Sequence, residues 1–149
     1  MHIQTSRFGV LSVDPGQVIT FPRGLVGFAD LSRFVVLASE ENVFFSWLQS
    51  VQDPDVAFLV TDPTLFFKDY SVVIREETQA EIGIQTADAG RVLVICNKVG
   101  DWLTGNLLGP IVVNENNGLG QQVVLTEKKW TTRQPLAKLY SEVWLAKAA

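Results

Sequence analysis

Residues Phe44–Tyr70, FFSWLQSVQDPDVAFLVTDPTLFFKDY, limit what this chain can fold into more than any other stretch. Two apolar runs, FFSWLQSV and VAFLVT, are joined by QDPD, and a second Asp-Pro pair then leads into Phe66 and Phe67. Both runs are rich in Val, Phe and Trp, have strand length and are bounded by turn residues, so they read as neighbouring β-strands. Asp53 and Asp62 each precede proline. A carboxylate there bonds backbone N–H groups while the proline presets the next φ. Neither run places a polar residue at every second position, so both faces of the pair are expected to be covered. Trp47 and Phe58 are expected in the core.

Upstream, Ile3–Val13 reads as two strands about a turn at Arg7–Gly9, the second strand ended by Asp14-Pro15-Gly16. Val18–Phe21 is a short strand stopped by Pro22, and Gly24 and Gly27 are spaced for positive φ or close backbone approach. Arg33–Ala38 is the next strand. Downstream, Ser71–Ile74 is expected to be a short strand. Glu76–Ile82 reads as a two-turn helix with Glu76 and Glu77 near the positive end of its dipole and Gly83 as its stop. Arg91–Val99, Pro110–Asn114 and Gly120–Thr126 read as strands, and Leu136–Lys147 as a helix with Leu136, Leu139, Tyr140, Val143 and Trp144 on one face. About eight short strands and two small helices predict an all-β, mainly antiparallel, single-domain barrel-like or sandwich fold. No repeat or linker divides the chain.

The 149 residues, 47% of them hydrophobic, suffice for a core without disulfide or metal. A single cysteine and the lack of an apolar stretch of spanning length point to a cytoplasmic protein with no membrane partner. Net charge is −4 and the basic residues are scattered, so direct nucleic-acid binding is not expected. His2 is the only histidine and lies at the terminus, so no N/S metal site or His-dependent catalytic pair assembles, and no cofactor is called for. Cys96, mid-strand, reads as a small buried hydrophobe before it reads as a nucleophile. Asp53, Asp55, Asp62 and Asp69 read first as turn makers. An enzyme built on these aspartates and Gln49 is the alternative. Gln49 and Asn106, inside apolar runs, are expected to satisfy backbone groups at turns. The loop aromatics Phe66, Phe67, Tyr70 and Trp130 divide evenly between core plugs and exposed anchors.

The order TSRFG, ITFPRGLVGF, WLQSVQDPDVAFLVTDPTLFFKDY, NLLGPIVVN and QQVVL, followed by a basic residue ahead of Pro135 and Leu136, closely resembles the flagellar assembly factor FliW family. The match covers about residues 1–136 as one β domain. It is loose over Glu76–Ile82, and residues 137–149 extend past it as an expected C-terminal helical extension. The resemblance implies a non-enzymatic, compact β-barrel-like protein. It also implies two protein partners, flagellin and CsrA, the RNA-binding repressor of flagellin translation, which exchange on it. On this reading the partner-contact candidates are Phe21, Phe28, Phe66, Phe67 and Tyr70.

Overall fold

A computed structural model describes residues 1–139. Eleven strands and one α-helix follow in order: β1 (His2–Thr5), β2 (Gly9–Ser12), β3 (Ile19–Thr20), β4 (Arg33–Ala38), β5 (Phe45–Ser50), β6 (Ala57–Thr61), α1 (Glu76–Ile82), β7 (Arg91–Val99), β8 (Trp102–Gly105), β9 (Ile111–Asn114), β10 (Leu119–Gln122) and β11 (Gln134–Lys138). Seven of the strands run β7-β6-β5-β4-β3-β10-β9, and β9 returns to pair with β7, so the sheet closes into a ring. Every ladder in the ring is antiparallel except β3 with β10. β8 and β11 continue the sheet from the far half of β7, and the β1–β2 hairpin forms a separate two-stranded sheet.

The two central runs pair as expected, Phe45 opposite Thr61 through Gln49 opposite Ala57. β5 is covered on both faces. Leu48 joins Phe21, Phe34, Val60, Leu93 and Ile111 in one cluster, while Phe45 and Trp47 join Leu59, Cys96 and Leu103 in another. Trp47 is buried, with the Arg7 guanidinium 4.2 Å from its ring centroid and the Phe8 ring at 6.2 Å. Phe58 departs from expectation and is only half-buried, edge-on to Phe28 at 5.1 Å near the rim of the first cluster.

Helix α1 matches its sequence signals at both ends. Glu76 and Glu77 occupy its first turn, and Gly83 closes it at φ +72°, its N–H donating to the Gln79 carbonyl at 2.8 Å. The last carbonyl is not left bare. Asn114 and Asn117 donate to the Ile82 oxygen at 2.8 and 3.0 Å and so tie the helix to the end of β9. Gly24 is required for space as well as conformation, because at φ +65° a Cβ would lie 2.7 Å from the Ala29 Cα.

Four expectations need correction. Ser71–Ile74 has no ladder partner among the described residues, although Val72 and Ile74 are buried and Ser71 and Val73 are not. β8 was hidden behind the two-residue connection Gly100-Asp101, which sets Val99 opposite Trp102. Leu136–Lys138 are strand, not helix. Pro135 sits in β11 at the outer end of the sheet, where a missing N–H is tolerated, and a bulge follows it. The remainder of the expected helix, from residue 140, lies outside the described residues. Finally, α1 is the one α-helix among the described residues, the other short turns at Pro15–Gln17, Pro63–Leu65 and Ala87–Ala89 being 3-10.

Trp47→Ala is expected to cost about 3–5 kcal/mol, from lost burial plus the cavity left between two packed clusters. Phe58→Ala should cost less, because the ring is only half-covered. Urea unfolding of the two variants checks the order, and a Trp47→Ala protein as stable as wild type would remove β5 from the centre of the core.

Candidate protein-docking surface

The groups with chemical potential are each committed separately. The Asp53 carboxylate accepts the Asp55 N–H at 2.9 Å, and Asp62 accepts both the N–H and the hydroxyl of Thr64 at 2.9 and 2.7 Å. Asp55 takes the Ser6 hydroxyl, and Asp69 takes Lys129, which holds its carboxyl below the usual range. The four therefore work as turn and tether residues at separate places. Gln49 is fully buried and sends its Nε2 to the carbonyls of Ser50, Val56 and Pro54 at 3.0, 3.2 and 3.4 Å. It stitches the QDPD turn from inside, as its position between two strands suggested. Asn106 does the same for its own loop, accepting the Gly109 N–H at 3.0 Å.

Cys96 is buried under Trp47, Leu59 and Leu103, and burial pushes its thiol from about 9 up to about 12. Its Sγ donates weakly to the Val94 carbonyl at 3.7 Å. No group of three or more His, Cys, Asp or Glu among the described residues is placed to hold a metal ion.

The aromatic candidates separate sharply. Phe21 is fully buried, edge-on to Phe34 at 5.7 Å, and lies against the backbone of Gly120, where a Cβ would come within 2.6 Å of the ring. Tyr70 is buried as well. Its hydroxyl donates to the Leu107 carbonyl at 2.7 Å, and burial raises its pKa well above the ordinary phenol value. Neither side chain offers a partner surface to touch. Phe67 is half-buried against Trp130 at 5.1 Å, and Trp130 also covers Tyr70 at 5.2 Å. Phe66 is half-buried on Phe45 at 6.1 Å, and Phe28 is 38% exposed.

Around Phe66 the structure adds residues that sequence reasoning missed. Val43, Phe44 and Leu65 are 91%, 54% and 53% exposed. The Thr61 hydroxyl, at the end of β6, donates to the Phe44 carbonyl at 2.6 Å, and Phe45 carries Phe66. The signal was present in the run Val-Phe-Phe. Strand alternation sends Phe44 outward once Phe45 points in. A second apolar place is the loop Leu25–Phe28, where Val26 is exposed and its N–H donates to the Gln122 side chain at 2.9 Å. The outside thus carries exposed apolar side chains at Val43, Phe44 and Leu65, with Phe66 half-buried, and others at Val26 and Phe28.

Fold and surface together define a single-domain, ring-closed all-β protein whose outside carries fixed apolar contact area. The family model described as FliW protein matches residues 2–136, and the chain belongs to the FliW family. It is 42% identical to the flagellar assembly factor FliW of Moorella thermoacetica over 93% of this chain and 89% of that one. It is 39% identical to the same-named factor of Desulfitobacterium hafniense strain Y51 over 95% and 93%. The crystal structure of the flagellar assembly factor FliW aligns at a TM-score of 0.82 and 30% identity, over 92% of this chain and 97% of that chain.

The Cys96 thiol supplies a pH test. Its pKa in the folded protein lies above that of an unfolded thiol, so the folded state keeps a proton that the unfolded chain loses. The contribution is intact below about pH 9 and is lost as pH rises toward 12, by up to about 1.4 kcal/mol per pH unit. Cys96→Ala removes that slope. Unfolding free energies of wild type and variant, measured at neutral pH and above pH 9, should converge at the higher pH. A constant gap would show that the thiol ionises freely in the folded state.

Proposed function

We propose that this chain is a flagellar assembly factor that acts by binding other proteins, taking flagellin and a CsrA-type RNA-binding repressor as exchanging partners in the cytoplasm. Free factor would hold the repressor away from the flagellin message, and accumulating flagellin would draw the factor off the repressor. That exchange needs only relative affinities and free concentrations. The observation that carries the reading is the set of exposed apolar side chains Val43, Phe44, Leu65, Val26 and Phe28 on a closed core, in a chain whose relatives are named flagellar assembly factors. No helix among the described residues is long and apolar enough to cross a membrane.

Two modes of blocking a basic RNA-binding partner are physically distinct. Phosphate mimicry needs a concentrated acidic face, but the 16 acidic residues are dispersed, with Glu40–Glu41 and Glu76–Glu77 their only adjacent pairs. Several of them are also engaged already, Glu81 with Arg23 and Gln121, and Asp69 with Lys129. An interface with an apolar centre and a polar rim fits the exposed apolar side chains better.

Phe66→Ala and Phe28→Ala are therefore expected to weaken the complexes roughly tenfold or more, and Glu76→Lys by no more than about twofold. Calorimetric titration against purified flagellin and CsrA-type repressor, with thermal melts to confirm folding, decides it. Binding should persist to about 0.5 M salt. A loss of a hundredfold or more over that range would point to charge mimicry instead.

A further inference from the structure

Strand β4 has two edges, and hydrogen-bond parity tells them apart. Just outside its ladder with β5, Val51 N–H donates to the Arg33 carbonyl at 3.0 Å and Ser39 N–H to the Phe45 carbonyl at 3.3 Å. Only alternate residues bond across an antiparallel ladder, so Arg33, Val35, Leu37 and Ser39 direct their backbone groups toward β5. On the opposite edge, Phe21 N–H donates to the Ser32 carbonyl at 2.6 Å and Ile19 pairs with Phe34. The even-numbered residues serve that side. β3 ends there, and the backbone groups of Val36 and Ala38 continue the same edge with no partner among the described residues.

The vacancy has a cause in the sequence. Carried backward in its register with β4, β3 would set Gln17 beside Val36. Asp14-Pro15-Gly16 diverts the chain first, the Asp14 carboxylate accepting the Gly16 N–H at 2.9 Å and the Gln17 side chain accepting the Asp14 N–H at 3.2 Å. What remains alongside β4 is a groove of about 560 Å³ lined by Phe8, Leu11, Val13, Gln17, Leu37 and Trp47. Edge strands are ordinarily guarded by lysine, proline, a bulge or a cover, and Val35-Val36-Leu37-Ala38 supplies no guard of its own. Glu40, exposed, also lines the groove just past the end of β4.

We propose that this edge accepts an extended segment of a partner protein, added antiparallel to β4 in the line of β3, with a Lys or Arg near the N-terminal end of that segment, beside Glu40. Main-chain bonds to Val36 and Ala38 hold the added strand, alternate apolar side chains enter the groove, and the Glu40 carboxylate sets its direction and end. The assignment stands on the edge geometry and does not depend on the partners named above.

The test is a titration of the isotopically labelled full chain with the peptide acetyl-Lys-Lys-Val-Thr-Val-Thr-amide, followed by amide NMR. Saturable shifts and roughly tenfold slower hydrogen exchange at Val36 and Ala38 are expected, consistent with two added backbone bonds. Ala38→Pro should abolish the response, because that N–H points away from β5 and proline removes it without breaking the ladder. Glu40→Lys, which leaves the backbone intact, should weaken binding several-fold, and the peptide with Glu in place of both Lys should bind correspondingly less. Shifts confined to other amides, or a folded Ala38→Pro protein that binds like wild type, would overturn the proposal. So would equal binding of the acidic peptide, or concentration-dependent self-association through this edge that Ala38→Pro removes.

Discussion

Closure of the ring rests on one long strand. β7 pairs with β9 along Arg91–Leu93, with β6 at Val94 and Ile95, and with β8 along Cys96–Val99. A two-stranded piece of this sheet would expose apolar faces and two open edges, and is marginal at best alone in water. By meeting three neighbours, β7 lets the sheet turn back on itself and bury Leu93 and Ile111 inside, while Val94 faces the other way, into the cluster of Tyr70, Ile82 and Trp130. Closure is what allows so apolar a pair as β5 and β6 to be covered on both faces.

A ring made from short strands closes imperfectly, and its imperfections are where the surface becomes informative. β3 contributes two residues, so it cannot guard the whole of β4. The long loops between strands must then be fastened by side chains. Gln49 holds the QDPD turn from within, Asp62 caps the turn that carries Phe66, and Asn114 with Asn117 holds the end of α1. All four serve backbone groups, Gln49 and Asn114 from buried positions and Asp62 and Asn117 from the surface. Their rigidity matters for binding, because an aromatic side chain held in place loses less conformational freedom when a partner covers it.

The exposed apolar side chains illustrate the same coupling. Phe44 and Leu65 lie on different connections, each fastened beside the core, Phe44 by the bond from Thr61 to its carbonyl and Leu65 beside Phe66, which packs on Phe45. Apolar area presented in this way is scarce on a monomeric surface and is the usual currency of protein recognition.

Much of this architecture is written locally. The bounds of β4, α1 and β7 follow from β-branched runs set between turn residues, and from an acidic helix start and a glycine stop, all signals carried within a few residues. The two Asp-Pro turns and the interior role of Gln49 are legible for the same reason. Burial of the loop aromatics is another matter. Phe21 is inside because Gly120, a hundred residues away in the chain, leaves room for its ring, and Tyr70 because Leu107 and Trp130 close over it. Phe44 and Leu65 are outside because nothing distant among the described residues covers them. The helical spacing at Leu136 was overruled by an available strand edge on β8, and the extended stretch Ser71–Ile74 by the lack of one among the described residues. Local sequence determined which segments extend, turn or coil. Which edges meet, and hence which aromatics are core and which remain as contact surface, was decided only when the ring closed, since pairing and burial depend on residues far apart in the chain.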